Sequence, residues 1–91
     1  SLFDKSYVSS ALKKSFKATN VSFAQDKKCN QIVTFTAKEK SISRTKIRKA
    51  IDHQKFEVWK IRKKTTTLPD KWSDGTMHLL LLRQRGPYVR A

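Results

Sequence analysis

Val21–Lys38 reads VSFAQDKKCNQIVTFTAK, and its alternation of apolar and polar residues decides what fold the chain can adopt. Val21 and Phe23 stand two apart, as do Val33, Phe35 and Ala37 with Thr34 and Thr36 between them. Successive side chains of an extended backbone point to opposite faces, so each run presents one apolar side. Asp26-Lys27-Lys28-Cys29-Asn30 separates the runs and contains turn formers. The spacing predicts an antiparallel hairpin over Val21–Gln25 and Gln31–Lys38, with Lys27 and Lys28 at an exposed tip.

Outward from this hairpin the periodicity changes. Before it, Phe3 to Lys17 carries Val8, Leu12 and Phe16 at steps of four with Tyr7 and Ala11 beside them, one stripe of an amphipathic helix. Asp4 is placed to cap its start, Lys13, Lys14 and Lys17 suit the negative end of its dipole, and Asn20 is placed to accept a left-handed stop. After it, Ser43 opens a second helix expected to run to about His53. Ile42 and Ile47 flank that cap as a hydrophobic staple, and Ile47, Ala50 and Ile51 form the buried stripe. Thr45, Arg48, Lys49 and Asp52 project the opposite way, with Arg44 on the edge between the faces.

Phe56 to about Thr67 favours strand, but neither phase is cleanly apolar. One phase holds Phe56, Val58, Lys60, Arg62 and Lys64; the other holds Glu57, Trp59, Ile61 and Lys63. Such a strand either passes from core to solvent along its length or contains a bulge. Leu68–Gly75 is irregular and ends in the turn signal Asp74-Gly75. Met77–Gln84 is the last strand, with Leu79 and Leu81 on one side and Leu80 and Leu82 on the other, a pattern of burial on both faces or of an oligomer contact. Gly86-Pro87 closes it. The whole chain, residues 1–91, is expected to form a single α+β domain of order α-β-β-α-β-β, a four-stranded, mostly antiparallel sheet with both helices packed on one face.

The 91 residues carry 21 Lys plus Arg against 7 Asp plus Glu, a formal charge of +14. Solubility in a small domain needs only about 2 to 8 charges, and the excess destabilises the compact state by self-repulsion unless a polyanion is the working partner. Nucleic acid is the expected partner, RNA slightly before DNA. A membrane is not expected, because Leu79–Leu82 is the longest apolar run and a spanning helix needs about 20 such residues. The single cysteine, Cys29, predicts a reducing, intracellular setting. A chain that begins at Ser1 with Met77 as its only methionine is expected to be a domain cut from a longer protein or a processed product.

The expected interface combines cations from several elements: Lys27 and Lys28 at the hairpin tip; Arg44, Lys46, Arg48 and Lys49 on the second helix; and Lys60, Arg62, Lys63 and Lys64 on the third strand. Lys71 and Trp72 join from the loop that follows, and Arg83 and Arg85 from the end of the last strand. This spread favours phosphate contact over base reading, since the outward face of the second helix has no Asn or Gln to read adenine. Trp59, between Val58 and Lys60 and close to Ile61, is assigned to the core. Trp72, in a polar loop, is the better candidate for stacking on an unpaired base.

Catalysis is not the expected role of this domain, and no metal or other cofactor is expected, because Cys29, His53 and His78 are single and scattered. Asp26-Lys27-Lys28 matches a loose nuclease fragment with no partner acid. A second reading is a metal-independent ribonuclease using His53 and His78 as general base and acid. A third is an assembly module in which Leu79–Leu82, as an edge strand apolar on both faces, pairs with a copy of itself, giving a homo-oligomer or a contact with neighbouring domains. The chain lacks the aromatic signature strands of an RRM, the GXXG loop of a KH domain and the element order of a double-stranded-RNA-binding domain.

Overall fold

A computed structural model describes residues 3–51, 55–66 and 75–84. Two helices, α1 (Lys5–Phe16) and α2 (Arg44–Ile51), and four strands, β1 (Thr19–Gln25), β2 (Gln31–Ala37), β3 (Phe56–Thr66) and β4 (Gly75–Gln84), follow the order α-β-β-α-β-β. The strands form one antiparallel sheet in the order β1-β2-β4-β3. None of the helices among the described residues is long and apolar enough to cross a membrane.

Local chemistry sets the ends of α1. The Asp4 carboxylate accepts a bond from the Tyr7 N–H at 3.0 Å, satisfying one of the amides that the first helical turn leaves without a partner. At the other end Lys17, not Asn20, takes the left-handed conformation that stops the helix, with φ 54°. Its N–H donates to the Lys13 carbonyl at 3.0 Å. Asn20 is also left-handed, φ 53°, but lies in β1 at an irregularity in the pairing between Thr19 and Ser22. In α2 the Ser43 hydroxyl accepts from the Lys46 N–H at 3.1 Å, while Ile42 and Ile47 are both buried, so the cap and staple form together.

One face of the sheet is covered. Val8, Leu12 and Phe16 of α1 and Ile47 and Ile51 of α2 share a core with Val33 and Phe35 of β2, Leu80 and Leu82 of β4, and Phe56 and Val58 of β3. The register places Val33 opposite Leu80 and Phe35 opposite His78, so the same phase of both central strands meets the helices. Phe3 joins Phe23 and Phe56 edge to face at one end, and Phe16 stacks on Phe35.

The ambiguous phase of β3 is resolved by a bulge. Val58 stands opposite Leu82 and Lys60 opposite Leu81, leaving Trp59 as an extra residue between consecutive partners. Phe56, Val58 and Ile61 therefore belong to the helix-covered phase, while Glu57, Lys60 and Arg62 belong to the other. Arg44 ties α2 to this point, its Nη1 donating to the carbonyl oxygens of Val58 at 2.8 Å and Trp59 at 3.2 Å.

Strand β4 is not an edge. It pairs with β2 along one side and β3 along the other, so its backbone groups are already taken and the Leu79–Leu82 segment has no free edge to pair with a copy of itself. Gly75 begins this strand opposite Thr66, close enough to β2 that a Cβ on it would lie 2.6 Å from the Thr36 methyl.

Candidate nucleic-acid interface

The face of the sheet that neither helix covers brings together residues that the sequence alone separates. Leu79 and Leu81 of β4 stand opposite Thr34 and Ile32 of β2, and all four are half-buried. On the other side, Leu81 and Leu79 stand opposite Lys60 and Arg62 of β3, both exposed. Leu79, Leu81 and Ile32, with Thr34 beside them, are thus bordered by a cationic edge strand. Lys64 holds the next position of this series, opposite Met77, whereas Lys63, opposite His78, belongs to the other phase.

Trp59 sits at the head of the cationic edge, 37% exposed, and not in the core to which its sequence neighbours assign it. The bulge is the cause, since it puts Val58 and Ile61 on the covered face and turns the extra residue away from them. Lys60 Nζ and Arg83 Cζ each lie 4.8 Å from the indole centroid, within the range of cation–π attraction. Arg83 is further held by Glu57, its Nη2 donating to Oε2 at 2.8 Å and its Nε to the same oxygen at 3.1 Å. That is the one ion pair among the described residues, so Lys60 and Arg62 have no carboxylate partner there.

The remaining expected cations lie elsewhere. Lys46, Arg48 and Lys49 are exposed on α2, on the opposite side of the sheet from Lys60 and Arg62. The interface drawn from the sequence as one continuous grip therefore divides between two layers. Lys46 and Lys49, with Glu39 and Ser15, border a shallow depression of about 370 Å³ on that other layer. The guanidinium of Arg44 is occupied by the bulge carbonyls.

Lys27 and Lys28 project from the β1–β2 tip, at the end of the sheet where β3 begins. The tip is built around Asp26, whose carboxylate accepts from the Lys28 N–H, the Asn30 N–H and the Asn30 side-chain amide, each at 2.9 Å. The Asn30 amide, aided by the two backbone N–H groups and the charge of Lys28, holds this carboxyl below its ordinary value against a smaller desolvation penalty. With three of its acceptor sites so engaged, Asp26 serves the geometry of the loop. Cys29 is exposed in the left-handed conformation, φ 66°.

His78 corrects the two-histidine reading. It is 1% exposed, stacks on Phe35 and donates from Nε2 to the Glu39 carbonyl oxygen at 2.8 Å. An imidazole enclosed by the core has no surface to offer a ribose hydroxyl. Its proposed partner His53, and the interface candidates Lys71, Trp72 and Arg85, lie outside the described residues, as does the turn residue Asp74.

Compared with protein-family models, curated proteins and solved structures, the chain matches none.

Proposed function

We propose that this chain is a nucleic-acid-binding domain that grips a phosphate backbone through the cationic edge of β3 and the Lys27-Lys28 tip, with RNA preferred to DNA. The observation that carries the reading is the pair Lys60 and Arg62, alternate residues of an edge strand on the face that neither helix covers, with no carboxylate to neutralise them among the described residues. In a chain of charge +14 such unneutralised cations repel one another, and a polyanion relieves that repulsion while releasing its own counterions. The preference for RNA follows from α2, an eight-residue helix whose outer face offers cations and no amide to read base edges in a major groove.

The test is a fluorescence-anisotropy titration of labelled mixed-sequence RNA and DNA at low salt, repeated as salt is raised. Association that weakens linearly on a log–log plot is expected, and Arg62→Gln should flatten the slope by about 0.7 to 0.9 for the phosphate it no longer neutralises. Absence of association with every polynucleotide at low salt overturns the proposal, and tighter binding of DNA overturns the preference for RNA.

A further inference from the structure

We infer that the nucleic acid taken by the open sheet face is single-stranded, its phosphates following Lys60 and Arg62 along β3 while its unpaired bases lie over Trp59, Leu81, Leu79 and Ile32. The inference rests on the nucleic-acid reading above and adds which form of nucleic acid fits.

Three features of the face favour an unpaired strand. First, its centre is apolar. A duplex meeting this surface would bring phosphates and groove edges against Leu79, Leu81 and Ile32, losing hydration with no polar partner in return. Unpaired bases present π faces, which match such a surface and stack readily on aromatic rings. Second, the cations stand to one side of that centre, not around it. Strands of a sheet are about 4.8 Å apart, so the apolar residues of β4 and β2 lie one and two strand spacings inward from the cationic edge, the side-by-side arrangement of backbone and base in an extended nucleotide. Lys60 and Arg62, two residues apart on β3, are separated by about 6.8 Å along the strand, so they can engage successive phosphates of an extended chain.

Third, the indole is held ready for exchange. Arg83 is fixed by Glu57 and supports the ring, whereas Lys60 has no contact besides the ring among those described. A base stacking on the indole displaces Lys60, and the released ammonium is then free to meet the phosphate that arrives with the base. Arg44 keeps the bulge, and hence the ring, in place from the far side of the strand.

The experiment compares the wild type with Trp59→Ala and Trp59→Phe, binding a fluorescent ten-nucleotide oligouridylate and an RNA duplex of ten pairs at one low salt concentration, with circular dichroism confirming the fold of each variant. The single strand should bind the wild type at least tenfold more tightly than the duplex. Trp59→Ala should lose about 5- to 150-fold in affinity for the single strand, the range for one stacked base, while Trp59→Phe retains most of it. Equal or tighter binding of the duplex, or unchanged affinity in Trp59→Ala, overturns the single-strand inference and leaves nucleic-acid binding standing. Binding of neither probe overturns both. If Trp59→Ala proves misfolded, the wild-type ratio of single strand to duplex still decides.

Discussion

Leu80 and Leu81 are adjacent in one strand and meet different worlds. Leu80 lies fully enclosed between the sheet and the helices, in one core with Leu12 and Ile47. Leu81 is half-buried and stands between Ile32 on β2 and Lys60 on β3. The covered face is closed in its polar chemistry as well, for even His78 finds a carbonyl there. On the other face Arg83 is paired with Glu57, while Lys60 and Arg62 have no internal counterion among the described residues. The difference teaches that a strand apolar on both faces does not require helices on both: the row that neither helix covers is half-buried all the same.

The sharpest way to break this comparison is to truncate the two leucines in turn. Leu80→Ala should cost about 2 to 5 kcal/mol through the cavity it leaves, against about 1 kcal/mol or less for Leu81→Ala, read from urea denaturation. Equal costs would mean that the open face is as tightly packed as the covered one. A smaller loss, about 1.5 kcal/mol, is expected for Arg44→Ala, which removes a charged donor from the carbonyls of the bulge. If Arg44 positions the indole, its loss should also raise the exposure of Trp59 to acrylamide quenching; an unmoved quenching constant would separate the clamp from the ring. Ser43→Ala should cost about 1 kcal/mol by uncapping α2 beneath the covered face, with nucleic-acid affinity little changed.

The least effect belongs to Asp26, which sits on neither face. Its carboxyl is held below the ordinary value of 3.8, so its contribution to stability is present in full above that value and is lost as pH falls through the lower, folded one. Acidification below the ordinary carboxylate range should therefore loosen the β1–β2 tip, seen as amide exchange at Lys28 and Asn30, and Asp26→Ala should abolish that pH dependence. Persistence of the transition in Asp26→Ala would assign it to another carboxylate.

What the sequence made legible was local. The steps of Val8, Leu12 and Phe16, the staple of Ile42 and Ile47 and the alternation in β2 lie within single elements, and the structure follows them. What it concealed was of longer range. The place of β4 between β2 and β3 depends on its pairing with β2, which skips sequence order, and the Glu39 carbonyl that receives His78 lies 39 residues from it. Trp59 was concealed for another reason, because strict alternation gives it the same face as Ile61 and one extra residue reverses that. The cations of the site were all visible as residue types. Which side of the sheet each would occupy was not, since α2 and the open face lie on opposite layers.

Strand β3 has a further property. With Trp59 set aside, Phe56-Glu57-Val58 runs directly into Lys60-Ile61-Arg62, and inward and outward residues alternate without a break against the consecutive partners Leu82 and Leu81. The pleat is complete without the tryptophan, so a chain shortened by that one residue should keep its architecture and lose what the indole and the Trp59 carbonyl, one of the two acceptors of Arg44, contribute. Gain or loss of an aromatic platform here is a matter of a single codon inserted or deleted, with every other residue left in its place.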